Sequence, residues 1–164
     1  MSVPCDLAEA VVGLDKELDG LQLSRFTNDD AIALGMLVVE TARREGHRVT
    51  VDLRRGGQQL FHVALPGTSA DNDGWIDRKV RVVERFGRAS LLVRHDLERK
   101  GERVDPSLGL DPLVYAAAGG AVPLVVRDVG PVGTLAVSGL PQEDDHDLVV
   151  RVLRAFLAAP GEQS

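Results

Sequence analysis

Residues 47–65, HRVTVDLRRGGQQLFHVAL, are the stretch that decides the fold class. In its first part, apolar residues alternate with polar ones at the period of a half-buried β-strand: Val49, Val51 and Leu53. Gly56-Gly57 then supplies a two-residue hairpin turn, and residues 58–65 form the predicted return strand. Because a hairpin makes its two strands antiparallel neighbours, this stretch predicts an antiparallel sheet and excludes a doubly wound parallel one.

A second hairpin is predicted nearer the carboxyl end, with strands at residues 122–126 and 132–138 and a turn at 130–133. Residues 21–26 are a candidate fifth strand. Apolar residues at helical spacing predict helices around these strands, over residues 1–20, 28–45, 75–86, 88–100, 113–118 and 141–157. The predicted architecture is α+β, an antiparallel sheet with helices packed on it. We expect a single domain of residues 1–164, whose first 20 residues are a helical extension.

The composition limits the classes of protein to which this chain can belong. It has 164 residues, of which 44% are hydrophobic and 27% charged, as is usual for one soluble globular domain. Its net charge is −6 and only 4% of its residues are aromatic, so nucleic acid is an unfavourable partner. The longest apolar run is about five residues, whereas a membrane span needs roughly 20. We therefore expect neither nucleic-acid nor membrane binding.

The beginning of the chain predicts its compartment. The segment MSVPCDLAEAVVG lacks a basic stretch followed by a long apolar one, so no signal peptide is predicted and the protein is expected to be cytoplasmic. Cys5 is the single cysteine, which excludes an internal disulfide and a cysteine-based zinc site.

No strong catalytic motif is present. The sequence contains no G-x-G-x-x-G, no phosphate-binding Walker loop, no H-E-x-x-H and no G-x-S-x-G. No two of the four histidines are three or four residues apart, so no helix presents a preformed pair of metal ligands. The sequence leaves open whether the protein is an enzyme.

Two histidines are candidate functional residues. His62 is predicted on the same strand face as Leu60 and Ala64, where a buried imidazole would suit a metal or haem-iron ligand or a general base. A satisfied core or edge histidine fits the same pattern. His146 lies in the acidic run 143–147, whose carboxylates are expected to raise its pKa and would collect a hard cation. An acidic helix start accounts for the same run.

Two glycine-containing pairs adjoin the strands of the second hairpin, Gly119-Gly120 and Ser138-Gly139. Glycine at these places permits close approach of a ligand to the backbone, and it also suits a helix C-cap and a turn. Ser138 would be a nucleophile only beside a base, and the sequence shows none.

Trp75, Arg78 and Lys79 follow an acidic loop predicted at residues 71–73. A tryptophan with neighbouring cations would cover a flat, anionic ligand. A core tryptophan beside a solvated arginine face is the alternative.

Several longer segments together resemble one known family. They are residues 60–69 (LFHVALPGTS), 71–79 (DNDGWIDRK), 119–123 (GGAVP), 132–133 and 137–146 (VSGLPQEDDH). Over residues 28–157 the chain resembles an uncharacterised (UPF) branch of the HbpS/GlcG-like superfamily of haem-degrading domains. His62 and His146 match the pattern of the branch. Ala118 stands where the branch often carries a histidine, so no ligand role is carried over to that position.

The resemblance implies a profilin-like fold, a five-stranded antiparallel sheet with helices on both faces, in which residues 21–26 are the fifth strand. HbpS members of the superfamily bind and degrade haem, and other members accompany glycolate or cobalamin metabolism. Members usually form homo-oligomers, so self-association is expected here. HbpS itself is secreted, whereas this chain shows no signal peptide.

The first functional hypothesis is therefore a cytoplasmic, oligomeric binder of a small ligand, with haem or another flat anionic tetrapyrrole as the specific expectation and haem degradation as a possible activity. The pocket is expected near the two glycine-containing pairs. His62 would be the iron ligand or proton donor. The ring or its propionates would be faced by Trp75, Arg78 and Lys79.

Two alternatives come from other classes of protein. An arginine-rich surface and the apolar helical segment 31–39 suit a non-catalytic oligomeric scaffold or adaptor. An enzyme acting on a small organic acid would use Arg78 or Lys79 to bind the carboxylate.

Overall fold

The computed structural model describes residues 5–161 and residue 163. The elements of the described chain follow one another as α1 (Cys5–Asp19), β1 (Gln22–Leu23), α2 (Asn28–Arg44), β2 (Thr50–Arg55), β3 (Gln58–Ala64), α3 (Ala70–Phe86), α4 (Ser90–Arg99), a 3₁₀ helix (Pro106–Leu108), β4 (Ala121–Val126), β5 (Gly130–Ser138) and α5 (Gln142–Ala158). Of Cys5, only its place at the start of α1 is described.

The five strands form one sheet in the order β1-β4-β5-β2-β3. Both predicted hairpins are present, and β2 also pairs antiparallel with β5. Gly56 and Gly57 have φ angles of 57° and 81°, which is the left-handed backbone that a tight hairpin turn requires. The prediction of an α+β fold built on two hairpins is thus confirmed.

The predicted fifth strand differs from expectation in length and direction. It comprises only Gln22–Leu23, and it pairs parallel with β4, so the sheet is mostly rather than wholly antiparallel. The physical reason is the long connection between β1 and β4, because only a short hairpin turn forces two strands to be antiparallel.

Helices cover both faces of the sheet, as the resemblance implied. On one face, α2 and α5 pack over strand residues that form the main core, among them Val51, Leu53, Val122, Leu124, Leu135 and Val137. On the other face, Ile76, Val80 and Val83 of α3 pack over Ala121 and Ala136. These small alanine side chains let α3 lie close to the middle of the sheet.

The start of α3 is earlier than predicted. Residues 71–73 were expected in a loop, but the helix begins at Ala70 because Ser69 and Asn72 form a capping box. The acidic side chains of Asp71 and Asp73 consequently lie in the first turn, where the helix dipole favours negative charge.

Two further local predictions are wrong. Residues 113–118 form a turn and irregular backbone rather than a helix, and the backbone N–H of Ala116 donates to the Arg78 carbonyl instead. Six residues give too few hydrogen bonds to offset helix nucleation. The turn of the second hairpin lies at residues 127–129 rather than 130–133, with Asp128 at a φ of 63°.

Candidate functional site

A cavity of about 630 Å³ is lined by described residues and is called the main cavity here. Its walls are α3, α4, the first turn of α5 and residues 102–118, which we call the cover segment. The end of β5 contributes Ser138 and Gly139. A cavity of this size lies within the range of small-molecule sites, roughly 300–1,000 Å³.

Trp75 and Arg78 form one wall of the main cavity. The Arg78 guanidinium carbon lies 4.2 Å from the centroid of the Trp75 ring, which is a cation–π contact. The indole is 38% exposed, so Trp75 is not a core tryptophan. Within the described chain no carboxylate lies within 4 Å of Arg78, whose hydrogen bonds go to the backbone carbonyls of Gly74 and Pro112. Its positive charge is therefore not neutralised by an ion pair.

Three arginines of α3 fasten the cover segment to the helix. Arg78 and Arg81 each donate to a carbonyl of the segment at 3.5 Å, those of Pro112 and Val114. Arg85 donates to the Gly109 carbonyl at 2.6 Å, and its guanidinium carbon lies 5.3 Å from the Tyr115 ring centroid. Because these acceptors are neutral, the contacts hold the segment without cancelling the arginine charges.

Lys79 and Asp145 form a buried ion pair at the floor of the cavity. Lys79 Nζ donates to Asp145 Oδ2 and to the Val137 carbonyl, each at 3.1 Å. Asp145 also accepts from the backbone N–H of Leu140. Burial lowers the pKa of Lys79 and raises the pKa of Asp145, while their mutual attraction acts in the opposite direction on each.

The two glycine-containing pairs serve close backbone packing. A side chain at Gly119 would overlap the backbone of Gln142, and one at Gly120 would lie 2.8 Å from Lys79 Nζ. A side chain at Gly139 would overlap the Arg48 carbonyl. Ser138 and Gly139 line the main cavity, whereas Gly119 and Gly120 are not part of its lining.

Ser138 lies at the cavity wall without a base. Its hydroxyl and carbonyl oxygens accept from the Asn72 amide at 3.4 Å, and neither partner of a catalytic triad is within hydrogen-bond distance among the described residues. The geometry thus gives no support to a serine nucleophile.

His62 lies outside the lining of the main cavity. It is on the α3 face of the edge strand β3, where its Nε2 is 2.6 Å from Asp73 Oδ1. The side chain is 32% exposed, so it is an edge histidine rather than a core one. Its role as an iron ligand stays a prediction.

His146 is buried in α5 and also lies outside the cavity lining. Neither ring nitrogen has a hydrogen-bond partner. Burial lowers its pKa, which outweighs the attraction of Glu17 and Asp147, and His95 lowers it further. Asp147 of the acidic run raises this pKa as expected, but burial of the ring outweighs it, so the pKa of His146 is lowered overall.

Several lining residues were not found from the sequence: Asn72, Arg94, Arg103, Tyr115 and Asp145. Arg94 pairs with Glu98 at 2.8 Å, whereas Arg103 has no carboxylate within 4 Å in the described chain. Tyr115 lies in the cover segment, whose sequence has no periodicity from which the direction of the Tyr115 side chain could be predicted. The sequence places Asp145 in the acidic run 143–147. Its burial was not predictable, because it depends on the packing of α3.

The described residues contain neither a metal-binding cluster nor a membrane-spanning helix. No group of three or more His, Cys, Asp or Glu side chains in residues 5–161 is arranged to hold a metal ion. Within the same range, no helix is both long and apolar enough to span a bilayer.

The fold and the cavity together define an α+β domain with a pocket of small-molecule size. Residues 26–154 match the family model described as haem degrading protein HbpS-like. The chain belongs to this HbpS-like family, and within it to the branch of UPF0303 proteins.

Relatives in bacteria match most of the chain. A UPF0303 protein of Streptomyces avermitilis is 56% identical over 144 residues, which are 88% of this chain and 88% of that protein. A UPF0303 protein of Streptomyces coelicolor is 53% identical over 150 residues, 92% of this chain and 95% of the other.

Solved structures share the fold. The Ybr137w protein superposes with a TM-score of 0.82 at 31% identity, covering 89% of this chain and 87% of that one. HbpS of Streptomyces reticuli gives a TM-score of 0.66 at 22% identity, covering 84% and 90%. A PduOC complex with haem gives 0.67 at 19% identity, covering 79% and 94%.

Proposed function

We propose that this protein binds a small, flat, anionic organic molecule in the main cavity, and that a tetrapyrrole such as haem is its ligand class. The observation that carries the proposal is the stacked pair of Arg78 and Trp75 on the cavity wall. A cation without a carboxylate partner and an aromatic face together recognise an anionic ring.

The other lining residues fit the same ligand class. Arg103 offers a second cation with no carboxylate within 4 Å in the described chain, and Tyr115 a second aromatic ring. Asp71 and Glu102 also line the cavity and would repel carboxylates of the ligand. The ligand's carboxylates are therefore directed to the two arginines.

The family supports the choice of haem as the first probe. The matching family model is described as haem degrading, and one solved structure of the same fold is a complex with haem. Of the residues predicted from the sequence, the proposal assigns ligand contact to Trp75, Arg78, Lys79, Ser138 and Gly139.

The proposal is tested by titrating the purified protein with haem. Trp75 is the only tryptophan, so quenching of its fluorescence reports occupation of the main cavity, and the haem Soret band reports binding independently. Saturable quenching at stoichiometric haem is expected; an unchanged fluorescence would overturn the proposal.

A matched pair of variants locates the site. Arg78→Gln removes the cation that lines the cavity and is expected to weaken binding about tenfold, the effect of losing one charge-assisted hydrogen bond. Arg81→Gln is the control, because Arg81 makes a similar contact with the cover segment but does not line the cavity. If Arg78→Gln and Arg81→Gln bind haem with the same affinity, the ligand does not lie in the main cavity.

Three other expectations stay predictions: haem degradation, self-association and a cytoplasmic location. Loss of the Soret band after addition of hydrogen peroxide tests the first. Light scattering of the purified protein tests the second. The scaffold hypothesis requires self-association without any ligand, and the organic-acid hypothesis requires competition of small carboxylates with haem.

A further inference from the structure

Of the kinds of side chain that usually hold haem iron, the described lining of the main cavity contains only one, the tyrosine Tyr115. Among its described lining residues there is no histidine, cysteine or methionine. His62 is held by Asp73 outside the cavity, and His146 is buried in the core. The ring of His95 is directed to Glu98, with Nδ1 and the carboxylate 3.3 Å apart.

The remaining donors in the cavity are engaged or repulsive. Lys79 is the ammonium partner of the Asp145 carboxylate, and an ammonium group has no lone pair to offer a metal. The ring of Tyr115 lies against the guanidinium of Arg85, whose positive charge opposes a metal cation at this place. A lining carboxylate such as Asp71 is negatively charged and repels the carboxylates of a tetrapyrrole.

The groups that are free to act on a ligand recognise its ring and its carboxylates. Arg78 and Arg103 have no carboxylate within 4 Å in the described chain, and the indole of Trp75 is partly exposed at the wall. Arginine binds carboxylates in a bidentate fashion, and aromatic side chains stack on flat rings. None of these contacts involves a metal at the centre of the ring.

We infer that the main cavity recognises the carboxylates and the flat ring of its ligand and not a bound iron. The iron-free ring then binds as tightly as haem. This inference rests on the proposed function and narrows its ligand class to flat polycarboxylic rings, with or without a metal.

The experiment compares haem with protoporphyrin IX, which has the same ring and carboxylates but no iron. Both are titrated into the purified protein, and quenching of Trp75 fluorescence is followed. Dissociation constants within about threefold of each other are expected, since the shared contacts supply the affinity. Haem binding at least tenfold tighter than protoporphyrin IX would overturn the inference and leave the proposed function standing. Quenching by neither ligand would overturn both.

Variants distinguish affinity that comes from the ring and its carboxylates from affinity that comes from a bond to the iron. Arg78→Gln is expected to weaken both ligands by the same factor. His62→Ala, at a position outside the cavity lining, is expected to leave both affinities and the Soret maximum of bound haem unchanged. Tyr115→Phe keeps the aromatic ring and removes the hydroxyl, and it is expected to change both affinities by the same factor. A loss of haem affinity alone in either variant would identify an iron ligand and contradict the inference. Far-ultraviolet circular dichroism establishes that each variant is folded.

Discussion

Lys79 and Asp145 join helices from opposite faces of the sheet through one buried ion pair, with Nζ and Oδ2 3.1 Å apart. Their side chains are only 4% and 2% exposed. Lys79 extends from α3 past the end of β5, where it also binds the Val137 carbonyl. The pair thus connects the two helical layers and forms the floor of the main cavity.

Removing one partner of this pair is expected to destabilise the fold strongly. Lys79→Met leaves the Asp145 carboxylate buried without its cation, which costs about 3–5 kcal/mol. The double variant Lys79→Met/Asp145→Leu is expected to cost less than the sum of the single changes, because no charge stays buried alone. Urea denaturation measures the free energy of unfolding of each variant.

A surface pair provides the control for that measurement. Arg94 and Glu98 are 41% and 35% exposed in their side chains, and Glu98→Gln is expected to cost less than about 1 kcal/mol. If Lys79→Met and Glu98→Gln lose the same free energy of unfolding, burial of the Lys79–Asp145 pair does not increase the cost of removing one partner.

The buried ring of His146 is expected to make stability fall in mild acid. Burial lowers its pKa in the folded protein below 6.5, so the unfolded chain binds more protons as the pH falls past 6.5. The stability contribution is complete above that pH and is lost below it. Glu17 and Asp147 oppose this effect and His95 reinforces it.

Comparing the free energy of unfolding at pH 8 and at pH 5.5 isolates the contribution of His146. His146→Leu is expected to lose less free energy of unfolding between these two pH values than the unchanged protein does. His47→Gln, at a half-buried surface position, is the control. His47→Gln is expected to keep the pH dependence of the unchanged protein. If His146→Leu keeps it as well, the role assigned to His146 is wrong.

Arg151 is expected to control the titration of Glu45. Two hydrogen bonds from the guanidinium of Arg151, each 2.9 Å long, are the main cause that lowers the pKa of Glu45 to about 2, and His47 contributes to the same shift. In Arg151→Gln this pKa is expected to rise toward 4.5, the ordinary value. A carbon-13 NMR titration of the Glu45 carboxyl measures the change, and an unaltered pKa would contradict the contact.

Gly120 is expected to tolerate no side chain. Its φ is 119°, and an added methyl group would lie 2.7 Å from the Val137 carbonyl oxygen and 2.8 Å from Lys79 Nζ. Gly120→Ala therefore combines backbone strain with overlap and is expected to cost more than about 2 kcal/mol.

Gly13 is the matched control for this change. It lies inside α1, and an added methyl group would meet no atom within 4 Å. Gly13→Ala is expected to stabilise the protein by up to about 1 kcal/mol, since alanine favours the helix. Thermal unfolding of both variants measures the difference, and similar melting temperatures would refute the packing argument for Gly120.

Much of the fold was predictable because its signals are local. The alternation in β2 and the Gly56-Gly57 turn specify one hairpin from a short stretch of chain. The apolar stripe of α5 similarly specifies a helix that packs on the sheet. The parallel direction of β1 was not predictable, because its partner β4 is about one hundred residues away and no turn constrains the pair.

The candidate site was predictable only in part. Trp75 and Arg78 were found because one helical turn brings them together, and the structure adds the stacking distance of 4.2 Å. Tyr115 and Arg103 were missed because the cover segment has no regular spacing, and long-range hydrogen bonds from arginines of α3 decide its position.

By itself, the sequence determined the two hairpins, most of the helices and the residue types available for an anionic ligand, since alternation, helical spacing and turn glycines act over a few residues. Only the tertiary structure decided that Lys79 meets Asp145, that His62 meets Asp73 outside the cavity, and that His146 is buried. The physical reason is that these contacts join segments far apart in the chain. Their geometry is set by how helices and strands pack against one another, which local periodicity does not record.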